Sequence, residues 1–398
     1  MAAGAKVAEA KVAGAQDAGA QPDGSRTIVV APDSFKGSAA ATTVAAALAD
    51  GWTRVRPSDR LRIVPLADGG EGTLDTVRDA TAGSREFAST VTGPDGRPQR
   101  ATWLLLPDGT ALVELAAASG LTQMRTPDAG AAQTAGFGEL LREAAAHPGT
   151  QRIVATLGGS AATDGGSGAL RALGARFLDD AGRELAPGGV ALAELARVEL
   201  GQLVPPPSGG VAVLTDVESP LFGTHGAAAV FGPQKGADRD LVDVLDSALR
   251  RLAAVLGGDP DRPGAGAAGG AGYGLAAAWS AVLRPGAPAV AEIVALPEAL
   301  RGADLVITGE GRFDEQSLRG KVVGHVLSVA PCPVALAAGA TATDEGTVAA
   351  LQRFAAVATL TEPAGSTEAA VSDPVRWATV AGEALARSVF GPGPAATT

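Results

Sequence analysis

The chain has 398 residues, a length typical of roughly two or three domains. Its net charge of −11 is incompatible with a broad basic face, so we expect neither nucleic acid nor an anionic membrane as a partner. The single cysteine, Cys332, excludes a disulfide scaffold and any cysteine-based metal site. Hydrophobic residues make up 46% of the chain but aromatic residues only 4%, so the cores must be built mainly from Ala, Val and Leu.

Both ends of the chain are predicted to be tails. Residues 1–26 are rich in Ala and Gly and include acidic residues, which is typical of a disordered segment and not of a signal or transit peptide. Residues 391–398 form the second tail. Two uncharged runs, 263–283 and 322–343, are interrupted by glycines or prolines, so neither predicts a membrane span. We therefore expect a cytoplasmic protein.

Between the tails the chain repeats one unit: a short apolar run, a turn rich in Gly and Asp, and a stretch with helical spacing. The first unit begins with the apolar run 27–31, and Val44, Leu48 and Trp52 share one face of its helical stretch. Further predicted strands lie at 61–66, 152–157, 210–215, 304–308 and 333–338. Residues 85–115 differ, because extended segments around Gly-containing turns predict antiparallel hairpins.

The alternation of strands and helices indicates an α/β fold with mainly parallel sheets. In such sheets the functional loops lie at the carboxyl ends of the strands. We predict a Rossmann-like three-layer α/β domain formed by residues 27–82 and 286–390. A second α/β domain, residues 83–285, is inserted into it.

The predicted second domain contains two strong helical patterns and one irregular segment. The helices lie near 130–146 and 238–256. Residues 257–274 are rich in Gly and Pro, and we interpret them as an inter-domain link or a mobile loop. Part of this segment, GAGAAG, matches a dinucleotide-binding pattern, but no strand precedes it, so nicotinamide binding is not predicted.

Lysine is rare, and its positions are informative. The chain has only five lysines, and the three outside the tails, Lys36, Lys235 and Lys321, each stand beside a glycine. Lysine binds phosphate as a compact point charge, and a neighbouring glycine lets the backbone approach the anion closely. The alternative is that these neighbours are coincidental.

Acidic residues follow most of the predicted strands. They are Asp33, Asp68, Asp164, Asp216 and Glu310. Carboxylates mixed with Gly-rich turns and lysine suit magnesium–nucleotide chemistry, because magnesium takes one or two carboxylates and bridges substrate phosphates. The alternative is that Asp and Gly merely form turns and cap helices. A Walker A motif is absent, and the three histidines stand apart from one another.

Six motifs in a fixed order together resemble the bacterial glycerate kinases, the two-domain type whose members begin with an APDSFKG segment. The similarity runs from about residue 27 to residue 390. The motifs are VVAPDSFKGS (29–38), VPLADGGEGT (64–73), LGGSAATDGG (157–166), VFGPQKGA (230–237), PGAGAAGG (263–270) and TGEGRFDEQSLRGK (308–321).

The resemblance implies ATP-dependent phosphorylation of D-glycerate with Mg²⁺, giving phosphoglycerate, with the 2-phosphate the expected product. It also implies two α/β domains with the active site between them. Two departures from the family pattern leave substrate preference open: Ala162 and Thr163 replace Thr and Asn, and Ser219 replaces Asn. We expect a monomer or a homodimer.

On this basis we assign candidate roles. The catalytic residues are Asp33, Lys36, Asp216 and Lys321, with Asp33 or Asp216 as the base. The substrate-binding residues are Ser34, Asp68, Glu71 and Arg312. The ATP-binding residues are Gly158, Gly159, Ser160, Asp164, Lys235, Gly309 and Glu310. The Mg²⁺ ligands are Asp68 and Asp216.

Two other functions remain open from the sequence. A kinase of the same architecture could act on another small hydroxy acid, for which the two departures are the motivation. A non-catalytic metabolite sensor could bind nucleotide or glycerate and signal through a partner. The retained acids and lysines favour a kinase over a sensor, because a sensor needs no general base.

Overall fold

A computed structural model describes residues 24–391 of the protein. The predicted tails, 1–26 and 391–398, lie outside these residues apart from the stretch 24–26 and Gly391. The strands are β1 (Thr27–Val30), β2 (Arg60–Ile63), β3 (Arg85–Thr92), β4 (Pro98–Leu105), β5 (Thr110–Glu114), β6 (Arg152–Thr156), β7 (Arg176–Leu178), β8 (Arg197–Glu199), β9 (Val211–Leu214), β10 (Val282–Arg284), β11 (Leu305–Phe313), β12 (Val334–Thr341) and β13 (Ala356–Thr359).

Fifteen α-helices are found among the described residues. They are α1 (Ala41–Val55), α2 (Thr73–Ala80), α3 (Leu115–Ser119), α4 (Ala135–Ala146), α5 (Ser167–Ala172), α6 (Ala227–Phe231), α7 (Arg239–Leu256), α8 (Ala267–Trp279), α9 (Gly286–Ile293), α10 (Leu296–Ala299), α11 (Val322–Val329), α12 (Glu345–Leu351), α13 (Thr361–Ala364), α14 (Thr367–Ser372) and α15 (Pro374–Phe390).

The first sheet has five strands, all parallel, in the order β13-β12-β11-β1-β2. Successive side chains of a strand point to opposite faces, and β1 follows this rule. Ile28 and Val30 pack with α1 and α15 on one face, while Val29 packs with α9 and α11 on the other. The result is the three-layer arrangement that the sequence predicts. On α1, Val44, Leu48 and Trp52 are all buried, as their spacing predicts.

The second sheet has six strands in the order β10-β9-β6-β5-β4-β3. The pairs among β10, β9, β6 and β5 are parallel, and β3, β4 and β5 pair antiparallel, which confirms the predicted hairpins. One face packs with α4, α5, α7 and α8. The other face packs against α2 and α9 in a core that also covers the first sheet.

The division of strands between the sheets follows the predicted inserted arrangement. Strands of the six-stranded sheet come from residues 85–284, and those of the five-stranded sheet from 27–63 and 305–359. The two sheets share one apolar core. In it, Leu112 and Leu214 of the six-stranded sheet pack with Val290 of α9 and with residues of the five-stranded sheet. The domain boundaries themselves stay a prediction.

Two local predictions are wrong. Residues 309–311 follow the predicted strand 304–308, where the repeating unit predicts a turn, but they continue strand β11, because β12 pairs with this stretch as far as Phe313. The segment 257–274, interpreted as a link or mobile loop, leads into helix α8 through a kink at 268–270, where the backbone is left-handed, and its Ala267 and Gly269 are buried. At its start Gly269 has a φ of +65°, and a Cβ there would lie 2.1 Å from the Ala162 carbonyl oxygen.

No helix in the stretch 24–391 combines the length and the apolar character that crossing a membrane requires.

Candidate active site

The carboxyl ends of parallel strands from both sheets meet at one cleft. The loops after β1 and β2 contribute from the first sheet, and the loops after β6 and β9 contribute from the second. The cleft has two adjoining pockets, which share Ser34, Phe35, Lys36, Ser38 and Asp68. The cleft therefore lies at the carboxyl ends of parallel strands, where the functional loops of an α/β protein are expected.

The smaller pocket has a volume of about 260 Å³. Its charged lining residues are Asp33, Lys36, Asp68, Glu310, Arg312 and Lys321. Its apolar wall comes from Phe35 and from Leu360, Ala370 and Val371, near the ends of β13 and α14. Three positive and three negative side chains thus border a space of the size of a small organic acid.

The larger pocket has a volume of about 860 Å³, which lies in the range of nucleotide-sized sites. Two Gly-rich turns form much of its wall, one at Gly69–Glu71 and the other at Gly158–Gly159. Asp216, after β9, also lines it, as do Ala267 and Ala268 at the start of α8. Exposed backbone N–H groups in such turns can donate hydrogen bonds to the oxygens of phosphate groups.

Asp33 is the most deeply buried acid of the smaller pocket, with 7% of its surface exposed. Its own N–H donates to the carbonyl of Gly309 in β11, and the N–H of Ser34 donates to its Oδ1 at 2.6 Å. Burial and the nearby charge of Asp68 raise the pKa of Asp33 to about 7, although Lys36 opposes the shift. A carboxyl with this pKa suits proton transfer near neutral pH.

Lys36 and Asp68 form an ion pair that links the two pockets. The Lys36 Nζ lies 2.9 Å from Asp68 Oδ2, and the N–H of Gly70 donates to Asp68 Oδ1 at 2.9 Å. Burial disfavours the charged ammonium, yet the carboxylates of Asp68 and Asp33 raise its pKa above the ordinary value. The Lys36 side chain is 67% exposed, so the pair adds little stability and mainly holds a cation at the cleft.

Two further acids in the cleft have raised pKa values. Burial raises the pKa of Asp216 to about 6, although the N–H of Gly286 donates to its Oδ1 at 2.7 Å. Burial also raises the pKa of Glu310 to about 7. The Oε1 atom of Glu310 is buried and has no hydrogen-bond partner in the structure. A clustering of perturbed acids is typical of functional sites.

The two Gly-rich turns touch each other directly. A Cβ on Gly158 would lie 2.4 Å from the Cα of Gly70, a distance that side chains do not adopt. The turn after β2 is held from elsewhere as well, because Glu114 at the end of β5 accepts the N–H groups of Gly72 and Leu74. The close approach of the turns thus requires glycine at position 158.

Four predicted ATP-binding residues do not line either pocket. Gly309 is buried in β11 and packs against β12. Ser160 is 7% exposed, and its Oγ accepts the N–H of Ala162. Lys235 is 2% exposed, and its Nζ donates to the carbonyl of Ala162. Lys235 is buried enough for its pKa to fall to about 8.

Asp164 is the fourth of these residues and is fully buried. Its carboxylate accepts the N–H groups of Gly166 and Gly168 together with the N–H and hydroxyl of Thr134. Protein donors already occupy the oxygens of Asp164, so this geometry does not support the direct contact with the nucleotide, which stays a prediction. Asp164 instead holds the backbone beside the Gly158–Gly159 turn.

We expect Asp164→Ala to lower the free energy of unfolding by about 3 kcal/mol, because it leaves buried donors unpaired. Urea unfolding would measure this loss, with Asp180→Ala, at an exposed position, as the control. Unchanged stability together with a raised KM for ATP would instead support a direct contact of Asp164 with the nucleotide.

The two departures from the family pattern lie away from the lining of both pockets. Ala162 and Thr163 are fully buried, and Ser219 makes a backbone contact through its carbonyl oxygen with the N–H of Gly266. They therefore give no direct reason for an altered substrate preference.

Sequence reasoning missed Glu114 and the residues of α13 and α14 that line the smaller pocket. Glu114 left one signal, because it is an acid that ends the otherwise uncharged strand β5. The wall residues Leu360, Ala370 and Val371 left none, since apolar residues in that region also suit a helix that merely packs on the sheet.

Comparisons with known proteins agree with the geometry. A model of the glycerate kinase family matches residues 28–390. A glycerate kinase of Bacillus subtilis (strain 168) is 45% identical over 305 residues, which cover 74% of this chain and 79% of the relative. A glycerate 2-kinase of Escherichia coli (strain K12) is 41% identical over 333 residues, covering 81% of this chain and 87% of the relative.

A solved structure is also similar. The crystal structure of a protein from Salmonella typhimurium LT2, provisionally named glycerate kinase 2, superimposes with a TM-score of 0.79 at 38% sequence identity. The match covers 92% of this chain and 98% of the other. It supports the mixed α/β fold with its parallel-sheet core.

Proposed function

Because the chain belongs to the glycerate kinase family, we propose that it transfers the γ-phosphoryl group of ATP to the 2-hydroxyl group of D-glycerate. The products are 2-phosphoglycerate and ADP. The observation that carries the proposal is the convergence of Asp33, Lys36, Asp68 and Glu310 on one cleft, although they are separated by up to 277 residues in the chain.

The sizes of the pockets favour glycerate in the smaller one and the nucleotide in the larger one. Arg312 and Lys36 border the smaller pocket and offer cations to the carboxylate of glycerate, and Ser34 offers a hydroxyl group. The Gly158–Gly159 turn and Glu71 border the larger pocket, where the backbone can receive phosphates. Glu310, predicted at the nucleotide, then lies nearer to glycerate.

Asp33 is the better candidate for the general base. It faces the pocket assigned to glycerate, and its raised pKa lets it accept the proton of the attacking hydroxyl near neutral pH. Asp216 lines the other pocket, and one of its oxygens is held by Gly286. Lys36 and Lys321 place positive charge beside the transferring group, where electrostatic stabilisation supplies much of the rate.

Two of the three acids that line the larger pocket, Asp68 and Asp216, fit Mg²⁺ when it arrives with a nucleotide. Asp68 and Asp216 both line that pocket. They lie close enough to each other for the charge of Asp68 to add to the effect of burial in raising the pKa of Asp216. No group of three or more His, Cys, Asp or Glu residues within 24–391 could hold a metal alone. Mg²⁺ commonly binds one or two carboxylates plus substrate phosphates, whose charge it neutralises.

The pH dependence of kcat/KM is expected to follow the ionisation of the general base, Asp33. Since the deprotonated form of Asp33 is the active one and its pKa is about 7, kcat/KM should rise as the pH increases through 7. The charge of Glu310 contributes to the raised pKa of Asp33. Glu310→Gln should therefore move this rise to lower pH. A profile of kcat/KM that stays flat from pH 6 to 8 would exclude Asp33 as the base.

The activity itself is tested by coupled detection of ADP release with D-glycerate, L-glycerate, glycolate and tartronate as acceptors. We expect D-glycerate to give the highest kcat/KM and ³¹P NMR to identify the 2-phosphate. Preference for another acid would favour the kinase of a different hydroxy acid. Binding of ATP and glycerate in calorimetry without product would favour a metabolite sensor.

A further inference from the structure

Glu114 is a buried carboxylate that joins the two sheets at the active-site cleft. It ends strand β5 of the second sheet and is 5% exposed. Its Oε1 accepts the N–H of Gly72 at 3.1 Å, and its Oε2 accepts the N–H of Leu74 at 2.8 Å. These two donors begin helix α2, which follows the turn at the end of β2 in the first sheet.

The start of α2 needs this remote partner. The first N–H groups of a helix have no acceptor within the helix, and α2 has no side-chain cap of its own because Gly72 stands at its N-cap position. Gly72 has a φ of +86°, a backbone conformation that glycine adopts without strain. Glu114 therefore does from another sheet what a serine or aspartate at the cap would do locally.

Further hydrogen bonds carry this constraint to the cleft. The hydroxyl of Thr73 donates to the carbonyl of Gly70 at 2.7 Å, and the N–H of Gly70 donates to Asp68 Oδ1 at 2.9 Å. Asp68 in turn accepts the Nζ of Lys36 through its other oxygen. An unbroken series of contacts thus leads from Glu114 to two side chains that line both pockets.

We propose that Glu114 is a positioning residue, which sets the turn 68–72 against the second sheet and thereby places Asp68 and Lys36 for phosphoryl transfer. The proposal rests on the function inferred above. Glu114 does not line either pocket, so its effect reaches the substrates only through the turn. Displacements of about 1 Å in a catalytic arrangement cost up to roughly a hundredfold in rate.

Glu114→Gln is the direct test, because the amide keeps the size of the side chain but offers only one acceptor oxygen to the two N–H groups. We expect kcat to fall about tenfold, with KM for both substrates changed less. Glu139→Gln is the matched control. The Glu139 carboxylate also accepts two donors, the N–H and hydroxyl of Thr92, and does not line the cleft, so kcat should stay at the wild-type value.

A double-mutant cycle with Asp68→Asn separates positioning from a general loss of stability. If Glu114 acts through Asp68, the combined variant should lose little more kcat than Asp68→Asn alone. Losses that multiply, or a wild-type kcat in Glu114→Gln, would overturn the proposal. If Glu114→Gln does not fold, Glu114→Asp, which keeps both oxygens but withdraws them by one methylene, takes its place in the cycle.

Amide hydrogen exchange tests the positioning without catalysis. Residues 68–74 should exchange faster in Glu114→Gln than in the wild type and in Glu139→Gln, and equal exchange in all three would refute the positioning role. A wild-type protein that fails to phosphorylate any of the four acids would contradict the proposed function only.

Discussion

Asp33→Asn is expected to lower kcat for D-glycerate at least about a hundredfold, which is the usual contribution of a general base. Asparagine still accepts the N–H of Ser34, so the loop after β1 should keep its shape. What is lost is the carboxylate that receives the hydroxyl proton. Steady-state kinetics at pH 8 would measure the effect, and the rise of kcat/KM through pH 7 should disappear.

The same substitution should leave the protein as stable as the wild type or more so at pH 8. The folded-state pKa of Asp33, about 7, lies above its ordinary value of 3.8, so the folded state binds this proton more tightly than the unfolded state. Ionisation of Asp33 therefore costs folding free energy as the pH rises from 3.8 to 7. Thermal unfolding at pH 5 and pH 8 should show a larger gain at pH 8.

The control for this pair of measurements is Asp50→Asn, which removes one charge at an exposed position of α1. It should change neither kcat nor the melting temperature. If Asp33→Asn keeps more than about a tenth of the wild-type kcat, Asp33 does not make the contribution expected of a general base, and Asp216 becomes the residue to test.

Gly158→Ala is expected to have the second large effect, on both stability and activity. The new Cβ would meet the Cα of Gly70 at 2.4 Å and the carbonyl carbon of Gly70 at 3.1 Å. Both are backbone atoms, so no side-chain rotation relieves the overlap, and the two turns must move apart. We expect the free energy of unfolding to fall by about 3 kcal/mol and kcat to fall by roughly a hundredfold.

Gly201→Ala is the matched control, because no other atom lies within 4 Å of a Cβ at that position. Its stability should stay within about 0.5 kcal/mol of the wild type. Urea unfolding and ADP-release kinetics would measure both variants. A Gly158→Ala protein with wild-type stability and kcat would mean that the two turns do not rely on direct contact.

Much of the fold and the place of the site follow from the sequence alone. The alternation of apolar runs and helical stretches indicated parallel sheets, which the five-stranded sheet confirms. Because carboxyl ends of parallel strands share one edge, acids directly after strands were expected to meet, and Asp33, Asp68 and Asp216 do line one cleft. Their catalytic roles stay predictions.

Tertiary structure alone decided which of the acids and lysines beside glycines reach the cleft. In the sequence, Asp164 and Lys235 are each followed by a glycine, as Asp68 and Lys36 are. The hydrogen-bond partners of Asp164 and Lys235, Thr134 and Ala162, lie at least 30 residues away in the chain. The hydrogen bond of Glu114 likewise depends on α2, 40 residues earlier. Local spacing determines secondary structure and strand ends, whereas burial and hydrogen-bond partners depend on segments that meet only after folding.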